Sequence, residues 1–584
     1  MRSTRLFVAA LTVPLIAAVT APLAGAEPAL SGPATEYNVL TAPGFDVATA
    51  ERAVRDSGGT VLRSNDAVGL ITVSAPASGF ATRVGASGAV FGVAKATSIG
   101  QVPRDNPVAK PGAEPSAEPA AESDAVEKEA HAQAHPVPAA AKPAPAGMDP
   151  LDGRLWGLTS VRSDIARTVQ PGDKRVKVGV IDTGIDGTHP DIAPNFDYAD
   201  SRNFTRDIPA DETGAVVDGP CEYRGCVDPA DHDDNGHGTH VAGTIAAAAN
   251  GFGISGVAPD VTLVNVRAGQ DSGFFFLEPV VDALTYAGDA GLDVVNMSFY
   301  VDPWLYNCGH NPADSPAQQA AQRTIVEALT RALNYAYRKG VTSVVALGNE
   351  HTDLGAPQPD TTSPDYPANS TYGRTVDNAD CLSLPVEGPH TIGVAAFGPS
   401  GRKADFSNYG TEQISVAAPG GYFRDGFGTD RYRTNENMIL SAYPRNVALA
   451  DGTIDAAGNI TDNGVALGVQ KATATDGRVG YYQYLQGTSM ATPHATGVAA
   501  LIVSQYGKPG RGGFGMSPDA VQRVLEGTAA KIACPVPRTV DYLNEGRDAS
   551  FTATCAGTPD FNGFYGHGVV DGYAAITQGR SFLG

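Results

Sequence analysis

The chain is 584 residues long, 42% hydrophobic and 18% charged, which suits a folded protein and excludes a wholly disordered chain or a multi-span membrane protein. At roughly 150 residues per domain, the length allows about four domains, or one large domain with attachments. The net charge is −22, and the first 147 residues, with 13 acids against 11 bases, contribute almost none of it. So acidic a main body lacks the basic footprint that phosphate binding requires, and neither nucleic acid nor an anionic membrane surface is an expected partner.

In chain order, the first feature is a secretory signal over residues 1–26. Arg2 and Arg5 precede an apolar stretch at 6–19, and Ala24-Gly25-Ala26 supplies small residues for cleavage. A membrane anchor is the other reading, but Pro14 and Pro22 interrupt the stretch and no longer apolar run follows. Residues 27–100 read as a small α+β module, with strands at 37–40 and 69–73 and helices at 47–54 and 80–84. Residues 101–147 hold nine Pro and fourteen Ala and no aromatic, Leu or Ile. Such a segment buries too little apolar surface to offset chain entropy and is expected to be a flexible linker.

From residue 148 to 584, apolar runs alternate with helical stretches. Strands are predicted at 176–181, 261–266, 292–297, 341–347 and 391–396, and helices at 237–249, 279–287 and 317–338. That alternation predicts an α/β domain built on a doubly wound parallel sheet, which binds ligands beyond the carboxyl ends of its strands. Residues 445–480, polar and rich in Gly and Asp, read as an inserted loop or hairpin. The six cysteines allow 15 pairings. Proximity favours Cys221–Cys226 and Cys534–Cys555, leaving Cys308–Cys381; no C-x-x-C occurs, so a zinc ribbon or thioredoxin-type site is not expected.

Three strings carry chemistry. Val180-Ile181-Asp182-Thr183-Gly184 puts a carboxylate at the end of a buried strand. Asn235-Gly236-His237-Gly238-Thr239-His240 opens a helix on a histidine. Gly487-Thr488-Ser489-Met490-Ala491-Thr492-Pro493 starts another helix on a serine. Singly, each is ordinary: a turn residue, a solvated histidine, an N-cap. Together, Asp, His and Ser are the parts of a nucleophilic triad, in which a carboxylate-oriented imidazole activates a hydroxyl. Other strings carry less. Gly251-Phe252-Gly253-Ile254-Ser255-Gly256 spells G-x-G-x-x-G but follows a helix instead of a strand. The stretch from Asp231 begins like an EF-hand, yet Ala242 stands where the bidentate carboxylate belongs. His237 and His240 lack the H-E-x-x-H context of a metal pair.

The three strings resemble the D-T-G, H-G-T-H and G-T-S-M-A-x-P motifs of the subtilisin-like serine proteases, in that family's chain order. Ala346-Leu347-Gly348-Asn349 is similar to its A-A-G-N motif. The resemblance covers residues 150–580. It implies a secreted serine endopeptidase acting on protein or peptide substrates, with Asp182, His237 and Ser489 as triad and Asn349 as oxyanion donor. It also implies a substrate cleft at Ser298, Phe299, Tyr300, Ala346, Leu347, Gly348 and Glu350, and a monomer free of the membrane once the signal is removed. The family usually has Ser-Leu-Gly where Ser298-Phe299-Tyr300 stands, so Tyr300 is expected to crowd the cleft. Glu350 is expected at the pocket floor, favouring a large apolar or basic residue before the scissile bond. Residues 27–100 resemble the family's inhibitory propeptide, which makes this segment an expected intramolecular inhibitor released by self-cleavage within 101–150. No cofactor is expected for the chemistry. By resemblance, Asp191 and Asn250 are candidate ligands of a structural Ca2+ ion. A catalytically silent subtilase fold acting as a binding protein is the alternative; loss of any of the four residues would favour it, and all four are present.

Overall fold

The computed structural model describes residues 30–96, 126–129, 148–357, 359–510 and 513–583. The expected signal, and the linker except for residues 126–129, lie outside these. Residues 30–96 form strands β1 (Ser31–Thr41), β2 (Thr60–Asn65), β3 (Leu70–Ser78) and β4 (Val90–Lys95), in antiparallel order β2–β3–β1–β4, with helices α1 (Val47–Asp56) and α2 (Phe80–Gly85). Val39, Val54, Ile71, Val73 and Phe80 form a small core between sheet and helices. β2 and β4 were not read from the sequence. Both are edge strands, and β2 is mostly exposed, so no apolar alternation marks it.

The main sheet contains β5 (Lys177–Ile181), β6 (Arg202–Asn203), β7 (Thr262–Arg267), β8 (Val294–Met297), β9 (Thr342–Ala346), β10 (Thr391–Phe397) and β11 (Ile414–Pro419). Their order is β11–β10–β9–β8–β5–β7–β6, and the pairings are parallel. Alternate residues of one strand feed opposite cores. Leu263 faces the core with α3 (His237–Ala246) and α6 (Thr488–Tyr506). Val264 and Val266 face the core with α4 (Leu277–Asp289) and α5 (Pro316–Lys339). Burial on both faces explains why these strands read as continuous apolar runs. The chain leaves β5 toward β7 and then crosses to β8 on the other side, so the carboxyl ends of β5 and β8 flank a topological switch point.

Residues 439–485 add a three-stranded antiparallel sheet, β12 (Ile439–Tyr443), β13 (Gln470–Thr473) and β14 (Val479–Leu485), ordered β12–β14–β13. The stretch read as a polar loop or hairpin therefore also holds two short helices, Arg445–Ala450 and Asp462–Ala466, over a local core including Tyr443, Val447 and Tyr481. The disulfides are Cys221–Cys226, Cys308–Cys381 and Cys534–Cys555.

The N-terminal module packs its sheet on α4 and α5. Leu40, Val68 and Leu70 enter the main core there. Asn65 Nδ2 donates to Asp282 Oδ1 at 2.7 Å and Thr285 Oγ1 at 2.8 Å, and Arg331 donates to the carbonyls of Thr41 at 2.9 Å and Val68 at 3.1 Å.

Candidate active site

The site assembles where three strands end. Asp182 directly follows β5 and is fully buried. Its Oδ1 accepts from Thr183 N at 2.8 Å and pairs with His237 Nδ1 at 2.7 Å. His237 is the first residue of α3. Asp233 holds this helix start, accepting from Gly236 N at 2.9 Å and Thr239 N at 3.0 Å, so the carboxylate of the EF-hand-like string serves as a helix anchor. Gly238 is required by close approach: a Cβ there would lie 2.1 Å from the Gly184 carbonyl oxygen. His240 is buried with Nε2 on the Ile439 carbonyl at 3.0 Å, and burial lowers its pKa to about 3, so it is a neutral structural group and not half of a metal pair.

Ser489 is the second residue of α6, where backbone N–H groups have no helical acceptor. Its hydroxyl donates to the Ser298 carbonyl at 3.3 Å. Asn349 lies just past β9. Its Oδ1 accepts from Thr488 N and Thr488 Oγ1, both at 2.9 Å, which fixes the amide and leaves Nδ2 for the cleft. Gly348, at φ 105°, passes so near Asn408 that a Cβ would meet Asn408 Nδ2 at 2.3 Å.

One cavity is lined by His237, Ser489, Ser298, Phe299, Tyr300 and the run from Ala346 to Glu350, so it gathers the expected catalytic and cleft residues except Asp182, which is buried behind His237. Phe299 stacks on Phe275, with ring centroids 4.0 Å apart. Tyr300 turns its hydroxyl to Asp365 Oδ2 at 2.8 Å and so forms part of the cavity wall. Glu350 accepts from Asn408 Nδ2 at 2.5 Å, and Asp302 also lines the cavity.

Val126–Glu129, inside the expected flexible linker, corrects that reading: this piece is packed in the cleft. Glu127 is 2% exposed, lines the same cavity, and brings Oε2 to 3.4 Å from His237 Nε2. Gln486, three residues before Ser489, donates its N–H to the Glu127 carbonyl at 3.3 Å and Nε2 to the Val126 carbonyl at 3.0 Å. Glu129 accepts from Arg424 Nε at 2.7 Å, Arg547 at 3.0 Å and Gln486 Nε2 at 3.1 Å. Burial alone would lower the pKa of His237, but Asp182 and then Glu127 outweigh it and hold the imidazole well above its usual value. Among the described residues, no hydrogen bond joins His237 to Ser489 in this state. The signal that could have revealed the packed piece is the spacing of prolines, which leaves residues 120–135 free of any.

Asp191 and Asn250 do meet, but not as a cation cradle. Asp191 accepts from Asn250 Nδ2 at 3.2 Å, Ile254 N at 2.9 Å and the Tyr482 hydroxyl at 2.7 Å. Burial pushes the Asp191 carboxyl up to about 7. A carboxyl whose oxygens are already taken by protein donors, one of them a tyrosine hydroxyl supplied by β14, does not fit Ca2+.

A parallel α/β sheet with serine, histidine and aspartate converging at its strand ends is the frame of a serine endopeptidase. The family model described as "Subtilase family" matches residues 173–568, and the chain belongs to that family. It is 28% identical over 402 residues to the "Thermophilic serine proteinase" of Bacillus sp. (strain AK1), covering 69% of this chain and 67% of that protein. It is 27% identical over 408 residues to thermitase of Thermoactinomyces vulgaris, covering 69% and 96%. Among solved structures, the epidermin leader peptide processing serine protease (EpiP) of Staphylococcus aureus shares the fold at TM-score 0.58 and 20% identity. That match covers 93% of this chain and 98% of that one. The protein is thus a serine endopeptidase of the subtilase family, acting on peptide substrates.

Proposed function

We propose that the chain is exported and matures by its own cleavage, with Asp182, His237, Ser489 and Asn349 as the catalytic group. The observation that carries the reading is the 2.7 Å Asp182–His237 contact beside a serine at a helix start and an amide fixed by Thr488. In the open site, Ser489 Oγ attacks the peptide carbonyl carbon and gives its proton to His237 Nε2. Asn349 Nδ2 and the Ser489 N–H receive the oxyanion, and the α6 N-terminus adds favourable dipole. The C–N bond then breaks, the His237 proton goes to the leaving amine, and an acyl-enzyme remains. Water hydrolyses that ester by the same route in reverse, with His237 returning a proton to Ser489. Asp182 keeps the imidazole in the correct tautomer throughout.

Residues 30–96 and Val126–Glu129 act as a two-part intramolecular inhibitor. The module docks on α4 and α5, while Glu127 occupies the imidazole face that must accept the serine proton. A protonated His237 cannot serve as a base, so Glu127 blocks the chemistry as well as the space. Glu350 lines the cavity beside Ser489, where a large apolar or a basic side chain before the scissile bond is accommodated. Covalent labelling by a fluorophosphonate tests the enzyme reading. The processed protein should label and Ser489→Ala should not; an unlabelled processed wild type would favour the binding-protein alternative.

A further inference from the structure

The segment at 126–129 covers a cationic spot at the edge of the cleft. Glu129 Oε1 accepts from Arg424 Nε at 2.7 Å and from Arg424 Nη2, and Oε2 accepts from Arg547 Nη2 at 3.0 Å and Gln486 Nε2 at 3.1 Å. The catalytic domain itself holds these donors in place. Arg424, 4% exposed, gives Nη1 to the Glu545 carbonyl. Arg547 gives Nε to Asp405 at 2.5 Å and lays its guanidinium 4.7 Å from the Phe551 ring centroid. Gln486 Oε1 accepts from Phe423 N at 2.6 Å, which fixes the amide with Nε2 turned to the segment. The neighbouring carboxylates are already engaged: Glu545 by Arg402 and the Tyr422 hydroxyl, Asp405 by Arg547 Nε and Phe406 N. Without the segment, Arg424 Nε and Nη2, Arg547 Nη2 and Gln486 Nε2 face an open cleft as a pre-organised carboxylate receptor.

Resting on the maturation reading above, we propose that Arg424, Arg547 and Gln486 form a substrate subsite for an acidic side chain on the leaving-amine side of the scissile bond. Glu129 occupies that subsite in the unprocessed chain as a built-in ligand. Gln486 stands three residues before Ser489, and its N–H meets the Glu127 carbonyl while Glu127 Oε2 lies 3.4 Å from His237 Nε2. The receptor is therefore two residues along the bound chain from the imidazole that passes a proton to the leaving amine. It stands apart from the cavity that takes the residue before the scissile bond: Arg424, Arg547 and Gln486 are not among the described residues lining that cavity. In a chain of net charge −22 such a basic receptor is a local exception, and it fixes the register of a substrate that carries a carboxylate at the matching position.

The test compares kcat/KM of the processed enzyme on amidated peptides that are identical except for Glu, Gln or Lys at successive positions after the scissile bond. Glu should exceed Gln by about tenfold at one of these positions, chiefly through KM, and the ratio should shrink as NaCl is added. Arg424→Gln should bring the Glu-to-Gln ratio close to one, and Arg424→Glu should turn the preference toward Lys. Each ratio is taken within one enzyme preparation, so a loss of folded protein cancels. Short amidated peptides representing the leaving side alone, labelled and followed by anisotropy on the processed protein, should show the same preference in Kd without turnover. A Glu-to-Gln ratio of one in both assays overturns the proposal. So does a Glu preference confined to positions before the scissile bond, or one that persists unchanged in Arg424→Gln. A carboxylate preference seen only with free-acid peptides would assign the receptor to a chain terminus and refute the side-chain assignment. A processed protein that cleaves no peptide fails the protease reading, while the anisotropy ratio still decides this one.

Discussion

Removing the Glu129 carboxylate should release the segment that fills the cleft. Glu129 is held by Arg424 at 2.7 Å, Arg547 at 3.0 Å and Gln486 at 3.1 Å, with its side chain 9% exposed. Hydrogen bonds to charged groups contribute about 1.5–3 kcal/mol each, and breaking a buried pair from one side costs about 3–5 kcal/mol. The two arginines would not be stranded, because Arg547 keeps Asp405 at 2.5 Å and Arg424 keeps the Glu545 carbonyl. That places Glu129→Ala at the low end, about 3 kcal/mol, or roughly 150-fold in affinity. The assay is inhibition of the matured enzyme by a synthetic peptide spanning residues 120–135, with and without the substitution. A Ki for the Glu129→Ala peptide equal to that of the parent would refute the reasoning.

The same peptide should inhibit less well as pH rises. The segment raises the pKa of His237, so its ionic contribution is complete below the pKa of the free enzyme's histidine and is lost as pH climbs through the elevated one. Glu127→Gln should flatten that dependence in a Ki-versus-pH series, and an unchanged slope would count against the Glu127–His237 pairing. Glu350→Gln should lower kcat/KM for peptides with Arg or Lys before the scissile bond more than for those with Leu or Phe; a cleavage profile preferring Asp or Glu there would contradict the expectation of a large apolar or basic residue. Replacing Cys308 and Cys381 by Ser should cost roughly 4 kcal/mol by loop entropy, against roughly 2 kcal/mol for Cys221 and Cys226. The sequence separations are 73 and 5, and urea unfolding of the Ser489→Ala chain measures the difference.

The strands β5, β7, β8, β9 and β10 were legible because burial on both faces leaves unbroken apolar runs. The catalytic strings were legible because close packing dictates their glycines: Gly238 against Gly184, Gly348 against Asn408. Edge strand β2 was not, since a strand exposed on most of its length has no pattern to read. The 445–480 stretch hid two helices of five and six residues, too short for a helical period to emerge. The Asp191–Asn250 pair matched a ligand pattern, but the Tyr482 hydroxyl that fills it comes 291 residues later, a tertiary contact no local spacing reveals. Glu127 and Glu129 escaped for a related reason. Their composition matches the surrounding linker, and what distinguishes them is contact with Arg424, Gln486, Arg547 and His237, all distant in sequence.

Self-processing is tested most directly by expressing the Ser489→Ala chain in a host without extracellular proteases and determining its N-terminus by mass spectrometry, beside the wild type. The account predicts that the wild type loses its N-terminal module by a cut within residues 101–150, while Ser489→Ala accumulates as one species beginning near Glu27. A Ser489→Ala protein of mature size, beginning near Met148, would contradict it.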